Sequence, residues 1–94
     1  MNKIQELMIL ERKMDILKRD ILIENISEIG SFNEEERRLY RRLLKDFLDA
    51  QGRDARNKMQ LVSIRKNDPT SFRLDFYRGE DETYTYLHTN GEWG

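Results

Sequence analysis

His88 is the only histidine in the chain and the one side chain whose ordinary pKa suits acid–base work near neutrality. No serine nucleophile constellation accompanies it, and the chain has no cysteine. Asp75, Glu80, Asp81 and Glu82 are close in sequence but lack the ligand spacing of a calcium-binding loop. No glycine-rich phosphate loop is present. A hydrolase built on His88 would need a site assembled from distant segments. The expectation is a protein that is not an enzyme, with no cofactor and no metal.

Binding chemistry is better represented. Arg37, Arg38, Arg41, Arg42 and Lys45 recur at helical spacing and share one angular sector, a pattern that can meet phosphates or an acidic protein surface. Arg53, Arg56, Lys58, Arg65 and Lys66 could extend that surface. The competing reading is a solvated face with ion pairs four residues apart, Glu34 with Arg38, Arg42 with Asp46 and Lys45 with Asp49. Tyr77, Tyr84, Tyr86 and Trp93, with His88, could form a stacking or partner-binding patch, or simply pack across strands. No helix-turn-helix, zinc-finger or aromatic RNA-binding signature is present, and a pI near 5.9 argues against a dedicated DNA binder.

A long helix, expected from Ile4 to Ile29, carries two apolar stripes. Leu7, Leu10, Met14, Leu17 and Ile21 follow spacings of three and four, and Ile9, Ile16 and Ile23 recur every seven. The stripes lie about 140° apart at ~100° per residue. A surface helix of a small domain normally needs one buried face. The expectation is that Leu10, Met14, Leu17 and Ile21 hold a helical hairpin together. Ile9, Ile16 and Ile23 would then meet a second subunit, a dimer being the commonest form, unless they pack on the chain's own sheet.

The remaining elements follow from local signals. Gly30 ends the first helix, Asn33 with Glu36 has capping-box spacing, and a second helix runs to about Ala50 before Gly52. Leu39, Tyr40, Leu43, Leu44 and Phe47 form its apolar face, with Leu48 at the margin. Residues 52–58 read as a polar connector. The period then becomes two. Strands are expected over Met59–Arg65, around Phe72, Leu74 and Phe76, and over Thr83–Thr89. Turns are expected at Asn67–Thr70, Gly79–Asp81 and Asn90–Gly91. After that last turn, any fourth strand would be a stub.

The class is therefore α+β, an N-terminal antiparallel helical hairpin followed by a three-stranded antiparallel β-meander. The 94 residues form a single domain (1–94), with the hairpin over 2–51, the connector over 52–58 and the meander over 59–94. Net charge is only −1, but residues 37–66 carry ten Arg or Lys against three Asp, a net of +7, and residues 67–94 two Arg against six acids, a net of −4. No secretory leader pattern opens the sequence, and charges interrupt every apolar run before the ~18 residues that a membrane span needs. A cytoplasmic location, without membrane contact, is expected. Small size, high charge and few chemical motifs give the general character of accessory proteins encoded by viruses and mobile elements. The favoured function is a small interaction module that self-associates through its first helix and acts as an adaptor or inhibitor of a larger protein. The alternative is a nucleic-acid or nucleotide binder using the basic face of the second helix.

Overall fold

The computed structural model describes the backbone of residues 3–94 and the side chains of residues 13, 14 and 16–94. Its elements are α1 (Lys3–Glu24), β1 (Ser27–Ile29), α2 (Glu34–Gln51), α3 (Arg53–Asn57), β2 (Met59–Asp68), β3 (Ser71–Arg78) and β4 (Asp81–His88). The α+β class is as expected. The expected three-stranded sheet behind a tight helical hairpin is not. The sheet has four strands in the order β1-β2-β3-β4, with β1 parallel to β2 and the other pairs antiparallel.

The difference arises at residues 25–29. Ile23, Ile26 and Ile29 continue a three-residue spacing that imitates helix, yet α1 stops at Glu24 and Ser27–Ile29 pairs with Ser63–Arg65. Parallel strands cannot be joined by a tight turn. Here α2 and α3 are the crossover, so β1 fixes α2 across one face of the sheet. The polar connector is in fact mostly α3, capped at its end by the Lys58 amide.

α2 starts where its cap dictates. The Asn33 side chain accepts from the Glu36 amide at 2.8 Å, and Glu36 accepts from the Asn33 amide at 2.9 Å. Glu34, Glu35 and Glu36 then complement the helix dipole. The spacing of Tyr40, Leu43, Leu44, Phe47 and Leu48 puts all five into the core, Leu48 completely rather than at the margin. They meet Met59, Leu61 and Ile64 of β2, Phe72, Leu74 and Phe76 of β3, and Leu87 of β4. Pro69 and Thr70 turn β2 into β3, with Asp68 accepting from the Thr70 amide at 2.8 Å. Gly79, at φ +66°, opens the two-residue turn into β4. Past Asn90 and Gly91 the chain returns as the expected stub: Trp93 forms a bridge with Leu87 and packs edge-to-face on Phe47, with ring centroids 5.7 Å apart.

Among the described residues, α1 is anchored along its last turns, where Lys18 also donates to Asn57 of α3 at 3.5 Å. Leu22 and Ile23 join the core, and Arg19 forms a two-pronged pair with Asp49 of α2 at 3.0 and 3.1 Å. Two expectations are thereby corrected. Ile23, assigned to a second subunit, is 4% exposed inside its own core. Met14, Leu17 and Ile21, assigned to the hairpin, are 57%, 60% and 54% exposed. Among the described residues, Arg19, Leu22 and Ile23 dock α1 on the domain instead.

Candidate interaction surfaces

At 100° per residue, Met14, Leu17 and Ile21 occupy a sector centred about 160° from that of Arg19, Leu22 and Ile23. Met14 and Leu17 therefore point away from the domain, while Ile21, though 54% exposed, borders the space between α1 and α3. Ile16, 48% exposed, lies on the other flank with Ile23 but two turns earlier. Ile9, Leu7 and Leu10 lie outside the residues whose side chains are described. The three- and four-residue spacing of the Leu stripe marks it as a helix-packing seam without saying whether the neighbouring helix is its own or a partner's. The Ile stripe offers only one residue every two turns.

The basic face of α2 divides into two parts. Arg37 is structural: its Nε donates to both Glu28 carboxylate oxygens at 3.1 and 3.0 Å, and its Nη1 donates to Glu34 at 3.0 Å. Glu28 also accepts from the Tyr40 hydroxyl at 2.8 Å. These three residues clamp β1 to α2. Arg38, Arg41, Arg42 and Lys45 are exposed and form no ion pair within 4.0 Å among the described residues, although Arg41 lies beside Tyr40 and favours the charged form of Glu28. The intrahelical pairs expected for them do not form. Arg37 takes Glu34, and Arg19 takes Asp49. The proposed extension is not continuous either. Arg56 donates to the Leu48 and Asp49 carbonyls at the end of α2, Lys66 pairs with Glu36 at 3.0 Å, and Arg65 lies 3.7 Å from Asp75.

The clamp tunes its own titration. Hydrogen bonds from Arg37 and then Tyr40 hold the Glu28 carboxyl below its ordinary value, against the opposing effect of burial. Burial and the bond to Glu28 push the Tyr40 hydroxyl up. Glu36, held by the Asn33 amide and Lys66, and Asp68, held by the Thr70 amide, are also lowered. A carboxylate with a depressed folded pKa contributes stability above its unfolded value and loses it as pH falls through the folded one. Wild-type protein should therefore lose stability below about pH 4.5. Glu28→Gln should cost under about 1 kcal/mol at pH 7. Its urea-unfolding curves should converge on wild type as pH falls to about 3. Parallel pH dependences for the two proteins would remove Glu28 from the account.

The strands present a different surface. Tyr84 and Tyr86 pack edge-to-face at 5.7 Å, and the Arg73 guanidinium stacks over Tyr84 at 4.2 Å while paired to Asp75 at 3.0 Å. Tyr84 is 53% exposed, and Tyr77 and Tyr86 are half-buried. Trp93, packed on α2, does not join their stack. The Arg73–Tyr84 pair escapes a reading that ends the turn at Asp81, because the register follows from a two-residue turn that sets Arg78 opposite Asp81.

The His88 ring lies 3.1 Å from the Gly94 carbonyl. Among the described residues, no group of three or more acidic or His side chains is placed to hold a metal ion. Among the described residues, no helix is long and apolar enough to cross a membrane. A groove of about 460 Å³ runs between α1 and α3, floored by Ile21, Leu22 and Met59. Of its three cations, Arg19 and Arg56 are committed to α2 and Lys18 donates to Asn57 of α3 at 3.5 Å. Comparison with models of protein families, with curated proteins and with solved structures finds no match to this chain.

Proposed function

We propose that this chain is a non-enzymatic interaction module that self-associates through α1 and acts as an adaptor or inhibitor of a larger protein. The observation that carries the reading is the stripe of Met14, Leu17 and Ile21 on α1, each more than half exposed, with Met14 and Leu17 turned away from the core. Contiguous exposed apolar surface on a soluble domain marks a site of association. Ile16, on the other flank, is not the main contact in this reading, and Ile23 belongs to the core. Light scattering on the wild-type protein should give a multiple of the 11.4 kDa chain. Leu17→Glu should reduce it to one chain while leaving the melting of the domain cooperative. A wild-type mass of one chain at high micromolar concentration would end this reading.

A second reading is favoured by one observation, the four exposed cations of α2 that find no ion pair among the described residues. Arg38, Arg41, Arg42 and Lys45 would then hold an anionic ligand such as a nucleic acid or nucleotide. Affinity for a single-stranded oligonucleotide should fall steeply with salt and disappear in Arg38→Glu with Arg41→Glu. Binding that survives the double substitution would remove it.

A further inference from the structure

Resting on the reading of α1 as the self-association surface, we infer that two copies pair their α1 helices antiparallel, about a twofold axis passing between positions 15 and 16. The seam positions are Leu7, Leu10, Met14, Leu17 and Ile21, spaced three and four residues apart as in a two-stranded coiled coil. α1 is 22 residues long, about 33 Å at 1.5 Å per residue, and its anchored face is turned away from the seam. At Met14 and Leu17 a second helix can therefore approach from the side away from the domain, while at Ile21 it would border the groove beside α3. The occupant is identified by the charges that flank the seam.

Lys13 and Asp20 flank the seam on one side and Lys18 on the other. In a parallel pair, opposite flanks face each other, so Lys13 would meet the partner's Lys18, twice by symmetry. Like charges there are unfavourable and set orientation. In an antiparallel pair, each flank faces its own copy. With the axis between positions 15 and 16, Met14 lies opposite the partner's Leu17, and on the shared flank Lys13 comes within two residues, about 3 Å along the axis, of level with the partner's Asp20, again twice. Asp20 Oδ1 accepts from Arg19 at 3.3 Å, but the side chain is 43% exposed, so an incoming lysine can still reach the carboxylate. By sequence position alone, the same register sets Ile21 against the partner's Leu10 and Lys18 against the partner's Glu11. Sliding one heptad in one direction brings Lys13 against the partner's Lys13. Sliding the other way brings Lys18 against the partner's Lys18 and Asp20 against the partner's Asp20. Of these arrangements, only this orientation and register set Lys13, Lys18 and Asp20 each against an opposite charge.

The chain has no cysteine, so the register can be read by cross-linking. Met14→Cys and Leu17→Cys replace exposed residues and should leave the fold intact. Oxidation of an equal mixture, one variant carrying a mass tag, should give the mixed disulfide as the main product. Each variant alone should cross-link poorly. Efficient self-cross-linking of either variant alone would overturn the orientation while leaving self-association standing. No mixed product from a wild-type protein of dimer mass would overturn the register. A wild-type mass of one chain would overturn this proposal and the reading beneath it. Charge gives a test of opposite sign. Lys13→Asp should weaken the dimer about tenfold, and Lys13→Asp with Asp20→Lys should restore it. A tighter dimer for Lys13→Asp alone would instead indicate parallel helices.

Discussion

Leu74→Ala lowers the unfolding free energy by about 3 kcal/mol, in the range for deleting a buried leucine from a packed core. The reason is position. Leu74 is fully buried on β3, its backbone paired to Ile64 on one side and Thr85 on the other, in the core that α2 covers. No neighbouring strand can close the gap without breaking its ladder. For a domain of this length, whose total stability is about 5–14 kcal/mol, the loss is large, and the melting temperature should fall by more than about 10 °C. Leu17→Ala, the same chemical change on an exposed helix face, should leave the melting of isolated chains almost unaltered. Thermal melts of both variants at concentrations dilute enough to keep the chains apart check the contrast. A drop of only a few degrees for Leu74→Ala would mean that the sheet and α2 are not packed as described.

The two leucines show what the sequence could and could not convey. Leu74 sits in strict alternation with Phe72 and Phe76, and its burial was readable because a strand with one apolar face has one way to turn. α2 was readable for similar reasons, with its cap at Asn33 and its apolar residues at three- and four-residue spacing. α1 was not, because it offers two apolar stripes and only the fold decides which turns inward. That decision depends on β1. Ser27–Ile29 is too short to show a period of two and becomes a strand only because β2 offers it an edge after a crossover of some thirty residues. Reading those residues as helix also hid Glu28. With it went the clamp on Arg37 and Tyr40, and the division of the basic face into one structural and four exposed cations. Local signals fix local elements. The surfaces available for binding depend on which long-range partners those elements find.

Ile23→Asp gives the sharpest separation of the two faces of α1. Ile23 is 4% exposed and packs in the core beside Leu22 where α1 meets the domain. A carboxylate placed there is buried without a designed partner, so it must be desolvated, take up a proton, or pull the helix from the core. Each route costs free energy, more than about 3 kcal/mol together with the lost packing. The expected result is a strongly destabilised chain, with loss of α1 amide protection before the sheet unfolds. Stability should partly return as pH falls and the new carboxyl protonates. Leu17→Glu, six residues earlier and on the opposite face, introduces the same charge. It should change the assembly mass and leave protection in the core untouched. Hydrogen exchange and light scattering on the two variants distinguish a helix that is half core and half interface from one that is all core. If Leu17→Glu unfolds the domain as Ile23→Asp does, the outward stripe is part of the core after all, and the case for self-association goes with it.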